Sequence, residues 1–112
     1  MKIRERQRYI MFKIIKDKQT TFTEGEFIRR LWDSVWRYFG MAASIKVGLW
    51  LLELNFESSY GIIRFSSNSK EIIISALGLI RHINNKRVIL SPIKTSGTIK
   101  SIRKRIDEMI KN

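Results

Sequence analysis

The chain has 112 residues, which is enough for one domain with a single core. It contains 22 Lys and Arg against ten Asp and Glu, and this net charge of +12 points to a polyanionic partner, nucleic acid first and a membrane surface second. The absence of cysteine excludes disulfides and thiolate metal sites, and no apolar run approaches the roughly 20 residues that span a bilayer. We therefore expect a cytoplasmic protein without a membrane partner, with one domain over residues 1–112 whose segment 1–7 is flexible.

The positive charge is concentrated at the two ends of the chain. Residues 1–18 carry seven basic and two acidic side chains, and residues 94–112 carry six basic and two acidic ones. A fold that brings these ends together would present one basic face to a polyanion.

An amphipathic strand and a long helix open the chain. From Arg8 to Lys16 the side chains alternate, so that one face is apolar and the other is only partly polar. Thr23 and Glu26 have the spacing of a capping box, which predicts a helix that starts there and stops at Gly40.

The remaining elements are a hairpin, a second helix, a fourth strand and a basic third helix. They are predicted at residues 44–55 and 60–65 for the hairpin, 68–83 for the helix, 87–93 for the strand and 98–111 for the last helix. Asn84 and Asn85 end the second helix, and Pro92 places the fourth strand at an edge or a bend. This order predicts an α+β fold, a ferredoxin-like or RRM-like βαββαβ sandwich with a four-stranded antiparallel sheet, two helices on one face and an additional C-terminal helix.

A turn of small residues precedes the basic third helix. Ser96 or Thr98 would cap this helix, and Gly97 would let a ligand approach the backbone at the positive end of the helix dipole. Together with nearby Lys and Arg side chains, the turn is a candidate phosphate site, although it would look the same if it only capped a surface helix. The candidate RNA-binding residues at the two ends are Lys2, Arg4, Arg6, Arg8, Ser96, Gly97, Thr98, Lys100, Arg103 and Lys104.

Large apolar side chains define a second candidate surface. Trp32 and Trp36 belong to an apolar stripe that is wider than one sheet face requires, and Met11 and Ile15 lie on the less polar face of the first strand. We predict that a protein partner contacts these four residues. The alternatives are core packing for the tryptophans and coverage by the additional helix for Met11 and Ile15.

Groups suited to catalysis are scarce. His82 is the single histidine, and its place near the end of the predicted second helix favours a surface role over a catalytic one. The acidic residues show no pair and no metal-ligand spacing. We expect no catalytic residue, no metal site and no cofactor bound by the chain.

The third strand, Tyr60-Gly61-Ile62-Ile63-Arg64-Phe65, retains only fragments of the motif on which RNA-recognition domains stack bases. Charge-driven contact with folded RNA is therefore favoured over base reading on the open sheet.

Four segments together resemble a known family. They are Arg8-Tyr9-Ile10, Tyr60-Gly61-Ile62-Ile63-Arg64, Ala76-Leu77-Gly78-Leu79-Ile80 and Ser96-Gly97-Thr98-Ile99-Lys100. In order and spacing, from about Arg8 to Ile106, they are similar to ribonuclease P protein component 2, an archaeal and eukaryotic family; residues 41–50 match it only loosely.

The resemblance implies a noncatalytic subunit of the endoribonuclease that removes 5′ leaders from precursor tRNA. In that family the RNA subunit performs the Mg²⁺-dependent hydrolysis, and the protein binds that RNA and pairs with protein component 3 as a two-plus-two heterotetramer, so precursor tRNA would be contacted indirectly. A general RNA-binding domain of a ribosome-associated or other ribonucleoprotein is the main alternative, and a nuclease in its own right is the third.

Overall fold

The computed structural model describes residues 6–111, which form one antiparallel sheet with helices on both faces. In chain order the elements are β1 (Gln7–Lys16), α1 (Glu24–Lys46), β2 (Trp50–Asn55), β3 (Tyr60–Ser66), α2 (Lys70–Leu79), β4 (His82–Ile83), β5 (Lys86–Ser96) and α3 (Ile99–Lys111). The strands lie in the order β2-β3-β1-β5-β4, and all neighbours are antiparallel.

Two apolar clusters hold the layers together. The main core lies between the sheet and helices α1 and α2, where the rings of Phe12 and Phe27 stack with centroids 5.3 Å apart. On the opposite face of the sheet, Ile102 and Ile106 of α3 cover Met11. The face of β1 that looked only partly polar is thus covered along part of its length by the C-terminal helix, because successive side chains of a strand point to opposite sides.

α1 starts as predicted and is interrupted where the sequence predicts its end. The capping box is confirmed, since the Glu26 amide donates to Thr23 Oγ1 at 3.1 Å and the Thr23 amide donates to the Glu26 carboxylate at 2.8 Å. Gly40 has a φ of +87°, a left-handed conformation that breaks the helical geometry. Helical turns then resume and continue to Lys46.

The first hairpin strand is shorter than predicted. Residues 44–46 still belong to α1, and β2 covers only Trp50–Asn55. The prediction of a strand from residue 44 was wrong because Val47 and Leu49 are buried in the main core from a connecting segment. Their alternation with exposed residues imitates a strand.

The second helix is also shorter, because the two asparagines form a turn instead of ending it. Asn84 and Asn85 have φ values of 54° and 65°, which are typical of a type I′ hairpin turn. His82 therefore lies in β4, paired with Arg87 of β5, and not near a helix end. The α+β class is confirmed, but the sheet has five strands where four were predicted.

β5 is longer than predicted and bends at its proline. The register of β5 against β1 shifts between Met11 and Phe12, which leaves Ile93 as the extra residue of a β-bulge next to Pro92. The predicted bend is confirmed, and it suits a residue that has no amide to donate.

Some predictions fall at the edge of the described residues. Gln7 pairs with Ser66 and thus already belongs to the sheet, while the rest of the segment predicted to be flexible lies mostly outside the described range. Within residues 6–111, no helix has the length and apolar content needed to cross a membrane.

Candidate nucleic-acid interface

The turn between β5 and α3 uses both of its hydroxyl groups to shape the helix start. Thr98 Oγ1 accepts a hydrogen bond from the Ser101 amide at 3.3 Å, so that Thr98 is the residue that caps α3. Ser96 Oγ accepts a hydrogen bond from the Thr98 amide at 3.2 Å and tightens the turn. A Cβ atom at Gly97 would meet nothing within 4 Å. The turn is therefore open to solvent in front of a helix N-terminus, which is a geometry that favours an anion.

The three predicted cations of α3 are not equivalent. Lys100 and Lys104 are exposed, whereas Arg103 forms an ion pair with Glu53, with Nη1 and Oε1 2.5 Å apart. The hydroxyl of Tyr60 donates a hydrogen bond to the other oxygen of Glu53. Arg103 therefore holds α3 against the hairpin, and its charge is partly compensated before any phosphate arrives.

The ionisation of this cluster follows from its contacts. Burial opposes the charged form of Glu53, but the hydrogen bonds from Tyr60 and Arg103 outweigh it, and the pKa of Glu53 lies below its ordinary value. Burial, reinforced by the hydrogen bond to Glu53, raises the pKa of Tyr60. The carboxylate is thus charged and the phenol protonated at neutral pH.

Two of the four predicted N-terminal cations, Arg6 and Arg8, lie at the same end of the sheet as this turn. Tyr9 pairs with Ser96, which places the beginning of β1 beside the end of β5. Arg6 and Arg8 are exposed there, and Arg8 alternates with Tyr9 and so lies on the sheet face opposite to α3. Two further candidates lie outside the described residues, Lys2 and Arg4.

Three residues at this end, Trp50, Arg64 and Tyr9, were not among the predicted site residues. Trp50 of β2 pairs with Arg64 of β3, Arg64 pairs with Tyr9 of β1, and Tyr9 pairs with Ser96 of β5. We call this line of four residues across the sheet the Trp50 row. Its signal in the sequence is weak, since an arginine and a tryptophan in two β-prone runs become neighbours only when the strand register is known.

The predicted protein-contact residues lie in different surroundings. Trp32 packs partly buried against the main core, and Trp36 is 51% exposed on α1. Ile15 is also exposed, beyond the part of the sheet that α3 covers, but Met11 is fully buried beneath α3. For Met11 the alternative is correct: the additional helix covers it, and no surface is left for a partner.

Exposed apolar side chains continue along α1 on both sides of its break. We call these four exposed residues of α1 the α1 patch: Trp36, Phe39, Met41 and Ile45. Such a group of large exposed apolar residues is typical of a surface that another protein covers.

Two carboxylates of α1 take part in a helix cap and in surface ion pairs. Glu26 belongs to the capping box, and the hydrogen bond from the Thr23 backbone lowers its pKa, with a further contribution from Asn84. Asp33 pairs with Arg30 and Arg37 on the surface of α1. Among residues 6–111, no group of three or more His, Cys, Asp or Glu side chains is placed to hold a metal ion.

These features define a small basic α+β domain with exposed cations, aromatic residues and a helix N-terminus at one end of the sheet. The model of the Rpp14/Pop5 family matches residues 8–107, and the chain belongs to this family. The resemblance found in the sequence is thereby confirmed.

Several relatives that share the name ribonuclease P protein component 2 support this membership. A protein from Pyrococcus furiosus called ribonuclease P protein component 2 is 31% identical over 103 residues, which cover 92% of this chain and 84% of the relative. A protein of that name from Methanocaldococcus jannaschii is 33% identical over 101 residues, which cover 90% of this chain and 72% of the relative. A chain in a cryo-EM structure of yeast ribonuclease MRP shares the fold, with a TM-score of 0.69 and 13% identity over 99% of this chain and 98% of that one.

Proposed function

We propose that this chain is a noncatalytic protein subunit of ribonuclease P that binds the catalytic RNA and stabilises its folded form during removal of 5′ leaders from precursor tRNA. The observation that carries the proposal is the pairing of Tyr9 with Ser96, because it brings Arg6, Arg8 and the basic start of α3 to one end of the sheet. The name shared by the archaeal relatives supports the choice of ribonuclease P.

The mechanism is neutralisation of phosphates. Lys100, Lys104, Arg6 and Arg8 are exposed cations that would displace counterions from closely approaching RNA strands. With the cations of residues 1–5, about six phosphate contacts are available, which predicts a log–log salt slope on the order of −5. Folded RNA would then need less Mg²⁺ for its stability, while the Mg²⁺ ions that take part in cleavage stay with the RNA and the protein binds no cofactor.

The α1 patch is the surface that we assign to the protein partner. Trp36 and Phe39 are three residues apart and therefore neighbours on one helix face, and both are exposed. Aromatic residues that become buried when a complex forms often dominate the affinity of protein interfaces. The partner is protein component 3 in a two-plus-two assembly, and Ile15 and Trp32 are secondary candidates for contact with it.

Reconstitution with ribonuclease P RNA and the other protein subunits tests this function. Cleavage of precursor tRNA is measured with and without the full chain over a series of Mg²⁺ concentrations. We expect the chain to lower the Mg²⁺ concentration needed for cleavage and to show no turnover alone.

Two outcomes would contradict the proposal. A chain that binds RNA but leaves cleavage unchanged at every Mg²⁺ concentration would be a general RNA-binding domain. Cleavage by the protein without the RNA subunit would make it an enzyme in its own right.

A further inference from the structure

Trp50 is the most accessible ring of the Trp50 row. It is 59% exposed, although it sits in a strand and not in a loop. The guanidinium carbon of Arg64 lies 5.9 Å from the centre of its ring, which holds the two side chains together by a cation–π contact. A flat, exposed aromatic surface next to a cation is the combination on which nucleic-acid bases stack.

Arg64 brings an unused hydrogen-bond donor to this place. Its Nε atom is buried and has no hydrogen-bond partner in the structure. Among residues 6–111, no carboxylate forms an ion pair with Arg64. The positive charge of Arg64 beside the exposed ring is therefore not compensated by a neighbouring carboxylate and is available to a phosphate.

The start of α3 completes the row at its other end. Tyr9 pairs with Ser96, which stands two residues before the Thr98 that caps α3, so the N-terminus of α3 lies near Tyr9. Lys100, the second residue of the helix, is exposed. The row therefore runs from an exposed indole in contact with a guanidinium to a helix N-terminus followed by a lysine. This arrangement suits a strand that places one base on the indole and its backbone phosphates along the cations.

We propose that the Trp50 row binds an unpaired segment of an RNA strand, with one base against the indole of Trp50 and backbone phosphates contacting Arg64 and Lys100. This inference rests on the proposed function, since it names the kind of RNA segment that the basic end of the sheet contacts. It also amends the expectation from the third strand: α3 closes the middle of the sheet to bases, but the row at the end stays open.

A stacking site and a purely electrostatic site respond differently to substitution. Trp50→Leu removes the stacking surface without changing the charge, so it should weaken binding of a 12-nucleotide oligouridylate by roughly tenfold and leave the salt slope unchanged. Trp50→Phe keeps a flat ring and should retain most of the affinity. Lys100→Gln should instead reduce the magnitude of the slope by about 0.7, the value for one contact to a single strand.

The measurement is fluorescence anisotropy with the full chain, at several salt concentrations, on the oligouridylate and on an RNA duplex of equal length. Tyr38→Leu is the matched control, because Tyr38 is an exposed aromatic residue of α1 outside the row and outside the α1 patch. Circular dichroism and thermal unfolding verify that each variant is folded. Uridine monophosphate serves as a competitor to compare a free nucleotide with a strand.

The outcomes separate this inference from the function on which it rests. Equal binding by Trp50→Leu and Tyr38→Leu, or an equal loss on the duplex for Trp50→Leu, would overturn the stacking site. Uridine monophosphate that binds as tightly as the oligonucleotide would assign the row to free nucleotides and not to RNA. Failure of the chain to promote cleavage in the reconstitution would instead overturn the proposed function, whatever the oligonucleotide shows.

Discussion

Arg103 of α3 and Glu53 of the edge strand β2 form an ion pair, and the hydroxyl of Tyr60 donates to the same carboxylate. Tyr60 is 4% exposed, whereas Arg103 is about half exposed. Glu53→Ala should destabilise the fold by about 1–3 kcal/mol, because it leaves a buried hydroxyl without its main acceptor. Arg103→Ala should cost only about 0.2–1 kcal/mol, as is typical of exposed pairs.

Urea unfolding followed by circular dichroism measures both changes. An equal loss for the two variants would mean that the ion pair, and not the Tyr60 hydrogen bond, carries the stabilisation.

Glu53 also predicts a pH dependence of stability. Burial alone would raise the pKa of Glu53, but the hydrogen bonds from Tyr60 and Arg103 outweigh burial and lower this pKa in the fold. Ionised Glu53 therefore stabilises the folded state above the unfolded-state pKa of about 4.3. This contribution is lost as the pH falls through the lower folded-state pKa. The free energy of unfolding should therefore decrease more steeply below pH 5 for the native chain than for Glu53→Gln, which accepts the Tyr60 hydrogen bond without titrating. Parallel curves for the two proteins would refute this assignment.

Removal of cations from α3 should change the salt dependence of RNA binding. Lys100→Gln with Lys104→Gln should make the log–log slope for ribonuclease P RNA less negative by up to about 2, because two phosphate contacts are lost. Lys18→Gln with Lys86→Gln removes the same charge from exposed positions at the other end of the sheet and serves as the control. Filter binding between low and moderate salt gives the log–log slope for the α3 variant and for the control. If the control slope changes as much as the slope of the α3 variant, the RNA responds to total charge and not to a defined site.

Polar substitution in the α1 patch should weaken the protein complex without unfolding the chain. Trp36→Ser with Phe39→Ser removes two exposed side chains, and truncation of central interface aromatics typically costs about 2 kcal/mol or more, roughly thirtyfold in affinity. Analytical ultracentrifugation with protein component 3 measures the affinity, and thermal unfolding of the free chain is the accompanying check. Unchanged affinity would place the partner elsewhere.

The backbone at Gly61 should not tolerate a methyl group. A Cβ atom at this position would lie 2.3 Å from Cζ of Phe12, and the Phe12 ring is fully buried in the main core. Gly61→Ala should therefore destabilise the fold by about 1–3 kcal/mol through overpacking. Gly78→Ala, where a Cβ meets nothing within 4 Å on helix α2, should be neutral or stabilising by up to about 1 kcal/mol. Equal stability of the two variants in urea unfolding would show that the Phe12 ring moves aside without cost.

Elements with strong local signals were predicted well. The capping box of Thr23 and Glu26 starts α1, and alternation defines β1 within one residue of its observed start. Predictions failed where local patterns are ambiguous. Val47 and Leu49 imitate a strand from a connecting segment, and two asparagines that suit a helix end just as well form a hairpin turn.

The sequence by itself determined the composition of the candidate interface, because net charge, the Ser96–Thr98 turn and the amphipathic C-terminal helix are properties of neighbouring residues. The tertiary structure decided which of these residues meet. Only the strand register brings Trp50, Arg64 and Tyr9 into one row. The packing of α3 buries Met11 and lets Arg103 form its ion pair with Glu53. The physical reason is that register and helix docking depend on contacts between residues far apart in the chain, and a local pattern does not contain them.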